Sequence, residues 1–300
     1  MESKIITDYG RVLRKGSIKT IVDLDESLKI DFSFQLHSIH DLVNEFEGIM
    51  PPNRISHNIL AFIKNGSGEK IIGNHRFRIH PNLGLIFPKN IIHSTNKWSL
   101  DTSGYMLSFN ESLFEEHHFP VTFLQLPTLF KLSTIPYRPF NKFTSQKVQT
   151  LFEELKLLQN AIEPGDRKIF ILKLSELIVI YQKEFVNNKA IAKNANCIFD
   201  KFVDFVEAKF KKTREVKFYA TLLSVHPNHL NKIVRASSKM SAKEYIHHRI
   251  INEAKYLLSA TSIPMKEIAF ELGFADYIYF SRLFKRLVEQ TPVHYRKYNT

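Results

Sequence analysis

The sequence contains one cysteine, Cys197, and therefore cannot form an intramolecular disulfide bond, which fits a reducing compartment. The first residues, MESKIITDYGRVLRKG, include no apolar segment of the signal-peptide type. The most apolar long stretch, IFILKLSELIVIYQKEF, is interrupted by Lys173, Ser175 and Glu176, which argues against a membrane span. We therefore expect a cytoplasmic protein that has no membrane partner.

Sequence signatures of catalysis are also missing. There is no Gly-rich phosphate-binding loop, no G-x-S-x-G nucleophile motif and no paired catalytic carboxylate, so we expect neither an enzyme nor a cofactor. The 300 residues are 44% hydrophobic and 12% aromatic, which is enough for packed cores and argues against disorder. This length favours two domains.

Acidic residues are fewer than basic ones, and the imbalance is uneven along the chain. The formal charge is +12. Residues 195–300 contain 18 Lys and Arg against 10 Asp and Glu, a net charge of +8, whereas residues 1–194 carry +4. A polyanion is therefore the natural partner of the carboxy-terminal third. The polar tract NNKAIAKNAN, residues 187–196, is the predicted linker before it.

The amino-terminal part reads as short strands followed by two helices. The segments ILAFIK, EKIIG, LGLIFP and YMLSF are β-rich and separated by turn signals, which predicts a small all-β sandwich or barrel. FTSQKVQTLFEELKLLQNAI then predicts a helix with Thr144 or Ser145 as N-cap, and GDRKIFILKLSELIVIYQKEF predicts a second one.

The carboxy-terminal third contains an internal repeat. YATLLSVHPNHLNKIVR (219–235) aligns with IAFELGFADYIYFSRLFK (268–285), at an offset of 49 residues before the corner and 50 after it. Apolar positions match in both copies, as in Leu230 with Phe280 and Ile233 with Leu283. Two copies of one helix-corner-helix unit are therefore predicted, with Gly273 at the second corner and Asp276 as the cap of the helix after it.

The second helix of each copy points polar and basic residues away from its apolar stripe. In B-DNA, Arg and Lys recognise guanine, Asn recognises adenine, and apolar side chains contact the thymine methyl group. A solvated helix face is the structural alternative, but two matching copies and the local charge favour contact with double-stranded DNA. The candidate DNA-binding residues are Asn228, Asn231, Lys232, Arg235, Tyr277, Ile278, Ser281, Arg282 and Lys285.

These motifs resemble the signature of the AraC family of bacterial transcription regulators. The pattern I-A-x-x-x-G-F-x-D-x-x-Y-F-S-R-x-F-K is met from Ile268 to Lys285, and the closing P-x-x-Y-R is met at Pro292, Tyr295 and Arg296. The chain departs from the pattern where Lys239 and Glu289 replace the family's glycine after each recognition helix. The resemblance implies a DNA-binding regulator, more often an activator, that contacts RNA polymerase.

The amino-terminal part resembles, more loosely, the cupin-like sensor domains of such regulators. The resemblance implies a small-molecule effector or a homodimer. Phe62, Phe77, Phe87 and Trp98 could line a pocket or only fill the core. The stripe Leu151, Phe152, Leu155 and Leu158 could form a dimer contact or brace the domain internally.

A metal enzyme is the rival interpretation, because enzymatic cupins carry a His-x-His plus Glu motif and a later His. Here His75 and His80 are five residues apart, so they would face opposite sides of one strand, and His93 comes later. No metal site is therefore predicted. A DNA-binding architectural protein without an effector is a further alternative.

The predicted fold is multi-domain α+β. Residues 1–190 form a cupin-like β-barrel with two following helices, and residues 195–300 form an all-α domain of two helix-turn-helix units.

Overall fold

The computed structural model describes residues 5–6, 12–13, 34–116, 119–120, 124–159, 164–186 and 193–299. The chain forms two units. The amino-terminal unit comprises Ser17–Met50 and Ile55–Asn188, and the carboxy-terminal unit comprises Met1–Gly16, Pro51–Arg54 and Lys189–Thr300. The domain boundary between residues 190 and 195 stays a prediction.

The four predicted strands are confirmed, and further strands accompany them. The described strands are β1 (Ile5–Ile6), β2 (Val12–Leu13), β3 (Phe34–Ser38), β4 (Met50–Arg54), β5 (Asn58–Asn65), β6 (Gly68–Ile72), β7 (His75–Ile79), β8 (Leu83–Phe87), β9 (Ile92–Trp98), β10 (Ser103–Phe109) and β11 (Tyr137–Pro139). One sheet has the order β11-β8-β5-β10-β3, another β4-β9-β6-β7, and β1 pairs with β2. A mixed α/β organisation is therefore established, whereas closure of the sheets into a barrel stays a prediction.

The two faces of the five-stranded sheet contact different partners, because successive residues of a strand point to opposite sides. Leu60, Phe62 and Ile86 pack into a core shared with the helices of this unit. Phe87 lies on the other face, where its ring meets the His93 ring of the four-stranded sheet with centroids 4.9 Å apart. Some polar side chains are thereby enclosed between the sheets.

The helices of the amino-terminal unit are α1 (Ile39–Glu45), α2 (Ser112–Glu116), α3 (Leu126–Leu129), α4 (Lys142–Leu158) and α5 (Pro164–Val186). The predicted N-cap of α4 is wrong: Asn141 is the cap, and its side chain accepts a hydrogen bond from the Thr144 backbone N–H. Thr144 and Ser145 lie inside the helix. Residues 160–163, which include the predicted end of α4, lie outside the described residues.

The leucine stripe of α4 is buried within its own unit. Leu151, Phe152 and Leu155 are buried, and Leu158 packs partly buried against the same core. The Tyr181 hydroxyl of α5 donates a 2.6 Å hydrogen bond to the Ala61 carbonyl of β5. The stripe therefore braces the helices on the five-stranded sheet, which is the internal alternative left open by the sequence.

The carboxy-terminal unit is helical and contains the predicted repeat. Its helices are α6 (Lys193–Lys209), α7 (Val216–Leu222), α8 (Pro227–Ser238), α9 (Ala242–Ala260), α10 (Met265–Glu271), α11 (Tyr277–Val288) and α12 (Pro292–Asn299). The start of α10 follows that of α7 by 49 residues, and the start of α11 follows that of α8 by 50, as the alignment predicted.

The predicted linker needs a correction. Residues 187–192 lie outside the described residues, but α6 already begins at Lys193. The last four residues of the predicted linker tract, KNAN (193–196), are therefore helical. A polar sequence without an apolar stripe reads as a linker, but here it forms the first turn of an amphipathic helix whose apolar face begins at Phe199.

Candidate nucleic-acid interface

The two corners of the carboxy-terminal unit are built from equivalent backbone hydrogen bonds. In the first corner the N–H groups of Leu223, Ser224 and Val225 donate to the carbonyls of Tyr219, Thr221 and Ala220. In the second, the N–H groups of Leu272, Gly273 and Phe274 donate to the carbonyls of Ile268, Phe270 and Ala269. The repeat seen in the sequence is thus a repeat of helix-turn-helix geometry.

Each corner is followed by a capped helix. The Asp276 carboxylate accepts hydrogen bonds from the backbone N–H groups of Ile278 and Tyr279, at 2.9 and 3.3 Å, which confirms the predicted cap. At the first corner His226 Nδ1 accepts from the Asn228 N–H at 3.3 Å. Pro227 occupies the first position of α8, where a missing N–H is tolerated. These caps fix where α8 and α11 begin.

The inward faces of the two helices are apolar and matched. Leu230, Ile233 and Val234 of α8 are buried, as are Phe280, Leu283 and Phe284 of α11. Leu287, one turn further along α11, is half-buried. Because these stripes hold both helices against the unit, their opposite faces are turned to solvent.

Most of the predicted DNA-binding residues lie on that solvent face. Exposed side chains are Asn228, Lys232, Arg235, Ile278, Arg282 and Lys285. Half-buried side chains are Asn231, Tyr277 and Ser281. Ile278, the aliphatic member of the set, is 57% exposed.

Asn231 makes a hydrogen bond within the protein that the sequence pattern did not indicate. Its Oδ1 accepts a 2.9 Å hydrogen bond from the Ala242 backbone N–H, at the first residue of α9. In the second copy, Pro292 is equivalent to Ala242 and has no N–H, and Ser281 is equivalent to Asn231. The amide oxygen of Asn231 therefore satisfies a helix start, which leaves its Nδ2 group for an external partner.

The sequence interpretation omitted three exposed residues of the same helices. His229 and Tyr279 occupy equivalent positions in the first turns of α8 and α11, and Arg286 follows Lys285. The repeat alignment could have identified the first pair, because both stand next to a predicted reader in a capped first turn. Tyr279 is 53% exposed, although its ring lies near the Phe274 ring.

The cations of this face are not engaged in ion pairs within the described part of the chain. Within the described residues the side chains of Lys232, Arg235, Arg282 and Lys285 make no ion pair and no hydrogen bond. Arg235 is near enough to Glu244 to contribute to the lowered pKa of that carboxyl, whereas no carboxylate of the described residues is recorded beside the other three. They can therefore donate to phosphate oxygens or to guanine acceptors without first breaking an internal contact.

A single helix joins the two helix-turn-helix units. The 19 residues of α9 begin with a capping box formed by Ser241 and Glu244. The guanidinium of Arg249 donates two 2.5 Å hydrogen bonds to Glu207 of α6 and one of 2.8 Å to Glu253. Burial opposes ionisation of Glu253, but Arg249 lowers the pKa of this carboxyl below its ordinary value. This network fixes α9 against α6.

The loop after α6 contacts the second corner. Lys211 forms a 2.7 Å ion pair with Glu271, and Arg214 donates to the Gly273 carbonyl at 3.0 Å. The Arg214 guanidinium also lies 4.2 Å from the Phe274 ring centroid. The loop that precedes the first helix-turn-helix is therefore attached to the second one, and the two corners belong to one packed body.

The geometry of a metal or membrane site is not found in the described part of the chain. No group of three or more His, Cys, Asp or Glu side chains there could hold a metal ion. No helix among the same residues is long and apolar enough to cross a membrane.

Two capped helices with cations on their outward faces, joined by one helix, have the arrangement of a double helix-turn-helix domain. The family described as "Helix-turn-helix domain" matches residues 219–298. The Msm operon regulatory protein of Streptococcus mutans is 22% identical over 246 residues, which covers 80% of this chain and 84% of the relative. The HTH-type transcriptional activator RhaR of an Enterobacter strain is 25% identical over 48% of this chain and 50% of its own.

A third relative, the HTH-type transcriptional regulator YijO of Escherichia coli, is 27% identical over 106 residues, and the match spans 38% of its length. A structure of ToxT from Vibrio cholerae aligns with 89% of this chain at a TM-score of 0.44 and 17% identity. The helix-turn-helix domain of residues 219–298 is therefore similar to domains of proteins named as transcriptional regulators.

Proposed function

We propose that the chain is a sequence-specific transcription regulator that reads two successive major-groove segments of double-stranded DNA with α8 and α11. The observation that carries this proposal is the repeated outward face, with its exposed cations at Lys232, Arg235, Arg282 and Lys285. Asn228, Asn231, Tyr277, Ile278 and Ser281 complete the proposed contact set, to which we add His229 and Tyr279. Residues 195–300 would form the autonomous DNA-binding domain.

The outward residues of the two helices differ, so the two DNA segments should differ in sequence. In the second copy Ile278 suits a thymine methyl group and Arg282 suits guanine. In the first copy Asn228 suits adenine and Lys232 suits guanine. One chain would then occupy an asymmetric site, without need of a palindrome.

The amino-terminal unit would control this binding. We propose that its two sheets form a cupin-like barrel that senses a small-molecule effector, and that the bound regulator contacts RNA polymerase in the cytoplasm, more often to activate than to repress. No catalytic step is assigned to the chain. Support comes from the relatives, which are named as transcriptional regulators and activators.

A homodimer would form through α5 rather than through the α4 stripe, which is buried. Ile169, Leu172, Val179 and Val186 of α5 are apolar and at least 40% exposed. The last three are spaced by seven residues and therefore lie along one side of the helix. This exposed row is the apolar helix face that a second copy could cover.

Replacing Arg282 with alanine tests the reading role of α11. The change should weaken binding to the selected site by about 1–3 kcal/mol and relax base preference at one or two positions, because one bidentate contact is lost. The measurement is in-vitro selection of bound DNA, followed by gel-shift titration of the enriched site. Arg78→Ala, at an exposed position of β7, is the control that removes the same charge.

The control variant should retain the wild-type sequence preference and lose little affinity. An Arg282→Ala protein with an unchanged preference and unchanged affinity would show that Arg282 does not read bases. Equal losses in both variants would mean that net charge alone governs binding.

A further inference from the structure

The space between the two sheets of the amino-terminal unit contains a lysine where apolar side chains are expected. Lys70 of β6 is 2% exposed, and a lysine is almost never buried without a partner. Its neighbours across the strands are Phe77 of β7 and Thr95 of β9. Its ammonium group donates a 2.9 Å hydrogen bond to the Thr95 hydroxyl.

A register shift brings a tryptophan to the same face. Between β6 and β9, Lys70 pairs with Thr95 but Glu69 pairs with Lys97, so Asn96 is skipped. Trp98 therefore shares the inner face with Thr95, although the two are three residues apart. The Lys70 ammonium lies 5.1 Å from the Trp98 ring and 5.1 Å from the Phe87 ring.

The hydrogen-bonding groups around this ammonium are unbalanced. Neither ring nitrogen of His93 has a hydrogen-bond partner, and neither does Nε1 of Trp98, although both side chains are buried. The ammonium has three N–H donors, of which Thr95 accepts one, and Trp98 adds another donor. His93 supplies at most one donor and one acceptor. The site therefore has more hydrogen-bond donors than acceptors.

Charge leads to the same conclusion. Burial lowers the pKa of Lys70 to about 7, and no carboxylate among the described residues raises it. Besides Tyr137, whose ring stacks on that of Phe77, the other titratable side chains on the inner faces are His37, His75 and His93, and burial lowers the pKa of each histidine. Burial disfavours the charged form of Lys70 and of the three histidines, and no carboxylate of the described residues compensates the ammonium. The two aromatic rings stabilise a cation only in part.

We propose that Lys70, His93 and Trp98 form a binding site for the carboxylate of a small organic acid, enclosed between the two sheets. The carboxylate would accept hydrogen bonds from the Lys70 ammonium and from Trp98 Nε1, while Phe87 and Phe77 would contact the apolar body of the acid. This inference deepens the effector role proposed above and rests on it, because it names the chemical class of the effector.

The protein carries its own reporter for this site. Trp98 is the sole tryptophan of the chain, so a ligand at Lys70 changes the only indole fluorescence. The full-length protein is titrated, without DNA, with matched pairs of acid and amide: acetate and acetamide, butyrate and butyramide, benzoate and benzamide. At least one carboxylate should give a saturable change that its amide does not give. It should also raise the Tm by about 5 °C or more at a hundredfold excess over Kd.

Lys70→Met removes the ammonium and keeps an unbranched apolar side chain. This variant should fold with an unchanged or higher Tm, because an unpaired buried cation is gone, and its affinity for the carboxylate should fall at least tenfold. Lys97→Met, on the exposed side of β9, is the matched control and should bind as wild type.

Two results would overturn the proposal. One is a wild-type protein in which no carboxylate differs from its amide, a measurement that does not depend on any variant. The other is Lys70→Met binding the carboxylate as tightly as wild type does. Because no DNA is present, either result leaves the DNA-reading function untouched, and a failure of DNA binding leaves this site untouched.

Discussion

Lys239 and Glu289 end the two recognition helices in a backbone conformation that favours glycine. Both have φ of 63°, and the N–H of each donates to the carbonyl four residues earlier, Arg235 or Lys285. A side chain in this left-handed region costs about 1 kcal/mol. The helices keep matching ends although the family's glycine is absent, so the departure affects stability rather than the length of either helix.

Lys239→Gly should therefore stabilise the protein by about 0.5–1 kcal/mol, after allowance for the greater freedom of glycine in the unfolded chain. Lys201→Gly, in the middle of α6, makes the same substitution at an exposed helical position and should destabilise by about 1 kcal/mol. The measurement is urea unfolding followed by far-ultraviolet circular dichroism. A loss of stability in Lys239→Gly would show that the lysine side chain contributes more than the backbone strain removes.

The two corners differ at one residue for a physical reason. Ser224 and Gly273 are equivalent and both have positive φ, 54° and 79°. A Cβ added to Gly273 would lie 1.8 Å from the Lys211 carbonyl oxygen, so only glycine fits where the loop after α6 approaches. The first corner tolerates serine.

At the scale of elements, the connecting helix α9 depends on a buried charge network. Arg249 is buried and its guanidinium lies 4.0 Å from the Phe210 ring as well as against Glu207 and Glu253. Arg249→Ala should destabilise the protein, by less than the about 3–5 kcal/mol expected for a buried charge without any partner, because Arg54 still pairs with Glu253 at 2.5 Å. Thermal unfolding followed by circular dichroism measures this loss.

Lys243→Ala, at an exposed position of the same helix, is the control and should change stability by less than about 0.5 kcal/mol. If both variants unfold at the wild-type temperature, the Arg249 network does not hold α9 in place.

Elements with strong local signals could be predicted from the sequence, and features that depend on distant contacts could not. The repeat, the Asp276 cap and the four strands follow from short patterns. The sequence pattern did not identify Asn141 as the N-cap of α4, because Thr144 and Ser145 are also suitable N-cap residues. The bond of Asn231 to the start of α9 and the burial of Lys70 depend on neighbours 11 and 25 residues away.

The candidate site was predicted better as a face than as a set of contacts. A helical wheel identifies which residues point outward, so Lys232, Arg235, Arg282 and Lys285 followed directly from periodicity. It cannot show that an outward side chain such as Asn231 is engaged by the next helix. Nor could composition reveal the Lys70 cluster, because a lysine within EKIIG reads as an exposed strand residue.

At the scale of the whole carboxy-terminal unit, two connections hold the two recognition helices at a fixed relative position. The 19 residues of α9 extend about 28 Å, which is comparable with the roughly 34 Å between successive major-groove faces. The Arg214 and Lys211 contacts attach the second corner to the loop that precedes the first. Both recognition helices should therefore engage one side of the duplex at a fixed separation.

The spacing of the two half-sites tests this account most directly. Gel-shift titrations of the full-length protein would compare its selected site with versions carrying five or ten additional base pairs between the two boxes. Five base pairs turn the second box to the far side of the duplex, so we predict loss of one helix's base contacts and a large loss of affinity. Ten base pairs should restore part of the affinity, to the extent that the DNA bends. Equal affinity for all three spacings would contradict the account that α8 and α11 bind DNA at a fixed separation.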